Sequence, residues 1–260
     1  MDPKNYSDTG TGLPILFSHG SVMDHTMFRY QIEALKDSYR VIAFDHRAAT
    51  DRYADEYDLH DLVQDCIDFA DSLGIDKFVL AGMSMGGFMG LELALKHQDR
   101  LGGLILIDTM AHPYTPEQQV EFGLAFDPLN TEGPLSEAFA EWCVPLVFGP
   151  DTIQEQPELV DHWLKKWADR PARSVWGEYN SWIRKADLLP RLGEITVPTL
   201  VVHGRDDVVL PFEKCGKALA EGIPGAKLSV IERAGHTSNE EQPEAVNAAI
   251  IEFLSGIERW

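Results

Sequence analysis

An α/β fold, built on a mostly parallel sheet flanked by helices and interrupted by a helical insertion, is predicted by three features of the chain. Short β-rich apolar runs alternate with longer segments of helical period. The runs are apolar at consecutive positions, as strands covered on both faces must be. The alternation fails once, between residues 112 and 185, where no strand is expected and helical segments are separated by prolines and glycines.

In chain order, the predicted strands are Leu13 to Phe17, Arg40 to Phe44, Phe78 to Ala81, Leu104 to Ile107, Thr199 to Val202 and Leu228 to Ile231. Amphipathic stretches at 58–73 and 86–97 lie between them, and a last one at 243–255 closes the chain. Cys66 keeps step with Leu59, Leu62, Val63, Ala70 and Leu73, which makes it a small core residue. The three cysteines, Cys66, Cys143 and Cys215, are odd in number and lack C-x-x-C spacing, so neither a metal site nor a redox pair is expected. The domain organisation read from this pattern is a core of residues 1–111 and 186–260 with a helical cap of residues 112–185. Five of the six tryptophans, Trp142, Trp163, Trp167, Trp176 and Trp182, fall in the cap. Most should pack its helices together, but a cap over a cleft should turn two or three aromatics toward a ligand.

Composition narrows the function. At 260 residues and 44% hydrophobic the chain can bury a large core. Its 42 acidic against 22 basic residues, a net charge of −20, disfavour contact with nucleic acid phosphates or anionic membranes. The opening MDPKNYSDTGTG has no basic segment followed by an apolar one, and no later apolar run approaches about 18 residues. Neither a signal peptide nor a membrane span is therefore expected, and a cytoplasmic location is the default.

One motif carries chemistry. In Ala81-Gly82-Met83-Ser84-Met85-Gly86-Gly87, glycines stand two residues before and after a serine, between an apolar run and a helix-like segment. That G-x-S-x-G pattern suits a sharp strand-to-helix turn that lifts the serine hydroxyl beyond the sheet edge. A serine nucleophile needs a base and a group to orient the base. Both are available in loops after later predicted strands: Asp206 or Asp207 after PTLVVHG, and His236 after LSVIERAG. The order serine, aspartate, histidine is that expected for such a site. Each also has a plainer reading, the aspartates as loop or capping residues and His236 as a helix-entry residue before Glu240 and Glu241. His203, within a strand, reads as a core residue, and His97 as the end of a helix.

With ILFSHGS and a downstream FDHR, GMSMGG, VPTLVVHGRDDVVLP and AGHTSNEEQPEAVNAAIIEFL, the sequence resembles the α/β-hydrolase family, in its capped carboxylesterase and lactonase type, from about Tyr6 to Leu254. The resemblance implies Ser84 as nucleophile, His236 as base and Asp207 rather than Asp206 as the orienting acid. It also implies an oxyanion hole from the backbone N–H groups of Ser21 and Met85. Trp142 and Trp182 are candidate substrate contacts from the cap. The implied activity is hydrolysis of a small-molecule ester or lactone, with no metal and no cofactor; no oligomeric state is implied. Carbon–carbon bond hydrolysis or perhydrolysis could use the same triad, and a ligand receptor with a slow triad is an alternative of another class. A serine at the turn argues against dehalogenase or epoxide hydrolase chemistry, which uses a carboxylate there. Two departures stand out. Asp45-His46-Arg47-Ala48-Ala49-Thr50-Asp51 lacks the glycines usual in that loop, and the dozen or so residues before the first predicted strand are too few for the usual opening hairpin, leaving one edge strand missing.

Overall fold

The computed structural model describes residues 2–258 and 260. The chain runs β1 (Tyr6–Thr9), β2 (Pro14–Ser18), α1 (Arg29–Leu35), β3 (Arg40–Phe44), α2 (Leu59–Ser72), β4 (Phe78–Met83), α3 (Met85–Lys96) and β5 (Leu101–Ile107). The insertion follows as α4 (Pro116–Phe126), α5 (Glu137–Val147), α6 (Pro150–Glu155), α7 (Pro157–Ala168) and α8 (Ala172–Trp182). The chain then resumes as β6 (Thr199–Gly204), α9 (Gly216–Gly222), β7 (Lys227–Ile231), α10 (Ser238–Glu241) and α11 (Pro243–Ser255).

The strands form one seven-stranded sheet in the order β1-β3-β2-β4-β5-β6-β7, parallel except for β1. This is the expected α/β-hydrolase architecture, with the helical insertion between β5 and β6. At the centre, every residue of β4 is buried, and its partners Ile15, Leu16, Leu104 and Ile105 are fully enclosed. Cys66 is sealed in the core on α2, whose start is fixed by an Asp58–Asp61 capping box. No helix of the described residues is long and apolar enough to cross a membrane.

Two expectations need correction, and one loop left open by the sequence takes a definite path. The amino-terminal dozen residues do hold a strand: β1 pairs antiparallel with β3, Tyr6 opposite Phe44. Its polar YSDT sequence carries no apolar signal. The backbone ladder and a bidentate Arg40–Asp8 pair at 3.0 and 2.7 Å hold it. Among the described residues it is a single edge strand and not a hairpin. The strand read as Leu228 to Ile231 is not covered on both faces either, because β7 is the other edge and Leu228 is 42% exposed. The glycine-poor 45–51 loop turns through a short 3-10 helix, Arg47–Ala49, and Arg47 is tied to Asp65 of α2.

Candidate active site

The site forms where β2, β4, β5, β6 and β7 end together, beyond the carboxyl edge of the sheet. Between β4 and α3, Ser84 adopts φ 50° and ψ −113°, a strained conformation for a residue with a side chain. The flanking glycines explain how the turn is possible. A Cβ on Gly82 would lie 2.3 Å from the Gly86 carbonyl oxygen, and one on Gly86 would lie 2.2 Å from that of Ser18. The Ser84 N–H donates to the Ile107 carbonyl at 2.9 Å, and the Ser84 carbonyl accepts from the Thr109 hydroxyl at 2.8 Å. The strained residue is thus held by the peptides on both sides of it.

Ser84 Oγ stands 2.9 Å from His236 Nε2, and His236 Nδ1 stands 2.7 Å from Asp207 Oδ2. The other Asp207 oxygen accepts the N–H groups of Val209 and Leu210 at 2.9 and 2.8 Å. With Nδ1–H donated to the carboxylate, Nε2 is left to accept the serine proton. Asp206 points elsewhere: it is exposed, and its N–H bonds the Ala234 carbonyl. Burial alone would lower the His236 pKa, but the adjacent Asp207 charge and hydrogen bond raise it above the ordinary imidazole value. Burial works against the Asp207 anion too, yet His236 and His203 hold its pKa well below the usual carboxylate range.

Ser21 lies at the pocket beside Ser84, and Met85 begins α3. A Cβ on Gly20 would come within 3.1 Å of the Ser84 Cβ, and Ser21 Oγ is 3.7 Å from Met85 Sδ, so the two loops are in contact. Among the described residues neither the Ser21 nor the Met85 N–H finds an intramolecular acceptor. Each is therefore left without a partner among those residues.

Several supporting residues carry no clear signal in the sequence. Asp108, at φ 45°, accepts from Gly204 N–H at 2.7 Å and from the N–H and hydroxyl of Ser238 at 2.9 and 2.6 Å. It thereby joins the ends of β5 and β6 to the loop that carries His236, and burial pushes its pKa up to about 6. Glu241 accepts from Gly235 N–H and Thr237 N–H on that loop, and from Gly149 N–H and Thr152 hydroxyl in the insertion. His203 is buried as expected and donates to the Leu210 carbonyl at 2.7 Å, but its Nε2 also lies 3.5 Å from Asp207. Two clusters have the donor types of a cation site, Asp24/His25/Asp45 and Asp108/His203/Asp207. Their oxygens already serve Lys166 and Thr26 in the first, and Gly204, Ser238 and His236 in the second.

Ser84 and His236 open into a cleft of about 330 Å³ lined by Phe88, Tyr114, Phe122, Phe126, Trp142 and Trp182, among others. Trp142 sits at its rim, 41% exposed, while Trp182 is 5% exposed and packs against Tyr114, Phe122, Phe126 and Tyr179. Trp163 and Trp167 instead fill the seam between insertion and core. Among the described residues, the one charged side chain lining the cleft besides the His236 imidazole is Glu121.

The sequence profile described as the Alpha/beta hydrolase family matches residues 15–249. The AB hydrolase superfamily protein YisY of Bacillus subtilis (strain 168) is 30% identical over 254 residues, covering 95% of this chain and 93% of that protein. Among solved structures, a thermophilic esterase from Thermogutta terrifontis superposes with a TM-score of 0.90 at 34% identity, covering 96% of this chain and 92% of that one. The enol-lactonase from Burkholderia xenovorans LB400 does so with a TM-score of 0.87 at 28% identity, covering 96% and 95%. Fold, profile and relatives agree: this chain is a member of the alpha/beta hydrolase family.

Proposed function

We propose that the chain is a serine hydrolase that cleaves small to medium apolar carboxylic esters or lactones through an acyl-enzyme. The observation that carries this reading is the unbroken relay Ser84–His236–Asp207, at 2.9 and 2.7 Å, at the base of an aromatic cleft. Resemblance to an esterase and an enol-lactonase supports it. His236 takes the Ser84 proton as Oγ attacks the carbonyl carbon, while Asp207 holds the imidazole and stabilises its charged form. The tetrahedral oxyanion is bound by the Ser21 and Met85 N–H groups, each worth about 3 kcal/mol in such sites. Collapse expels the alcohol, which takes the proton from His236. Water, deprotonated by His236, then releases the acid. In a lactone the expelled alcohol stays attached to the acyl group.

Residues 112–185 act in this reading as a cap whose aromatics, Trp142 and Trp182 among them, select the substrate. The cleft favours neutral, apolar groups. A basic rim from Arg29, Arg47 or Arg184 would have argued for a carboxylated substrate, but Arg29 is spent on Glu240, Arg47 on Asp65, and none of the three lines the cleft. The test is hydrolysis of p-nitrophenyl esters and of a simple lactone by wild type and Ser84→Ala, with an alkyl phosphonate used to tag the nucleophile. The expected outcome is turnover by wild type, an adduct on Ser84, and loss of turnover in a folded Ser84→Ala protein. Near-normal turnover by that variant would overturn the assignment.

A further inference from the structure

The loop that carries Ser21 is held by the helical insertion through its own backbone. Val22 N–H donates to Glu178 Oε2 at 2.9 Å, and Val22 C=O accepts from the Trp167 indole N–H at 2.8 Å. Arg170 donates to Met23 C=O at 3.0 Å and, through its other amino group, to Glu178 Oε1 at 2.7 Å. All three side chains belong to α7, α8 and the turn between them. Glu178 is completely buried, a costly position for a carboxylate unless its oxygens are satisfied. Both are, one by the loop and one by Arg170.

The loop needs holding. Val22 has φ 60°, in the left-handed region that a β-branched residue rarely adopts. The peptide before Ser21 is fixed from the core, because the Gly20 carbonyl accepts from His19 Nδ1–H at 2.8 Å. The peptide after Ser21 is fixed from the insertion, because its N–H is the one Glu178 accepts. Ser21 thus sits between two held peptides: the first carries its own N–H, and the second ties it to the insertion.

We propose that Glu178, braced by Arg170, is a positioning residue for the oxyanion site: it anchors the Ser21–Val22 peptide and so holds Ser21 in the place from which its N–H faces the reacting carbonyl. The insertion then governs the chemical step as well as substrate choice. This rests on Ser84 as nucleophile and Ser21 as oxyanion donor. Without the anchor, the strained Val22 relaxes and Ser21 shifts with it, carrying its N–H off the line to the carbonyl oxygen, so the penalty falls on the transition state and spares ground-state binding.

The experiment compares wild type, Glu178→Gln and Trp167→Phe, the last removing one N–H and keeping an aromatic ring in the seam. Each is assayed for kcat and KM on a neutral p-nitrophenyl ester. Each is also titrated with a trifluoromethyl ketone, which forms an oxyanion adduct on the serine, and with the matching unreactive alcohol. Glu178→Gln is expected to lower kcat about 10- to 100-fold, less than the roughly 100- to 1,000-fold of deleting a donor. KM and affinity for the alcohol should stay within about twofold, and ketone affinity should fall by the same factor as kcat. Trp167→Phe should show the same pattern with a smaller loss. Unchanged kcat in both folded variants, or equal losses for ketone and alcohol, overturns the proposal. If Glu178→Gln does not fold, Trp167→Phe decides alone. A wild-type enzyme that forms no ketone adduct sinks the reading of the site itself, which is a separate failure.

Discussion

Both oxygens of the Asp207 carboxylate are in use: His236 on one, two backbone N–H groups on the other. Asp206, its neighbour, faces solvent, although residue type and loop position alone do not separate the two. Asp207→Asn is expected to lower kcat about 10,000-fold, by presenting an amide where the imidazole needs an acceptor. Asp206→Asn should leave kcat within about twofold, and steady-state assays of the two variants make the comparison. The same contact fixes the pH dependence. His236 must be neutral to act as a base, and its pKa is raised by Asp207 against the lowering effect of burial. The kcat/KM for a neutral ester should therefore rise with pH through an inflection above the ordinary imidazole value of 6.5. An inflection below that value, in a pH–rate profile of the wild type, would contradict the paired geometry.

At the scale of elements, the insertion places its tryptophans in different surroundings, which predicts different effects on truncation. Trp163 is fully buried, and its indole N–H donates to the buried Glu240 carboxylate, which Arg29 also meets. Trp163→Ala should destabilise the fold by about 3–5 kcal/mol, as large-to-small changes in a core do. Trp142, at the rim, should cost far less on truncation and instead shift the ester chain-length preference. Trp182 borders the cleft but is packed among four aromatic rings, so its truncation should change both stability and preference. Thermal melts alongside kcat/KM for a homologous ester series separate the three cases. If all three tryptophans alter stability and none alters preference, the insertion is only packing.

At the scale of the whole molecule, the net charge of −20 and the Glu121 carboxylate at the cleft act in the same direction. Neutral esters should be turned over better than otherwise similar anionic ones, and added NaCl should raise kcat/KM for the anionic ester while the neutral one stays level. A fall with salt would mean that a local positive field governs entry. Acid stability has a different source. His46 is buried, accepts or donates only to Ser18 Oγ at 2.9 Å through its ring, and burial lowers its pKa to about 4. Above the ordinary value of 6.5 neither folded nor unfolded chain binds this proton, and below it the unfolded chain binds first. The contribution of His46 is therefore fully present above that pH and is lost as pH falls toward the folded value, by on the order of 3 kcal/mol. In urea titrations at about pH 7 and about pH 4.5, wild type should lose more stability than His46→Gln by an amount of that size.

The sequence by itself determined the features whose physical requirements are local. Consecutive apolar residues make β4 a strand covered on both faces, and Gly82 and Gly86 are the residues a turn around Ser84 demands. Cys66 could be assigned to the core because its neighbours repeat with the helical period. The tertiary structure decided what depends on distant partners. The polar segment Tyr6–Thr9 became a strand only because β3 offered an open edge. Asp108 and Glu178 look like ordinary acidic residues, yet each is buried, bonded across 130 and 156 residues of chain to Ser238 and Val22. A local pattern can be read because strand and helix geometry repeat every few residues. A buried carboxylate has no such period, since its partners are chosen by where the folded backbone leaves N–H groups unpaired.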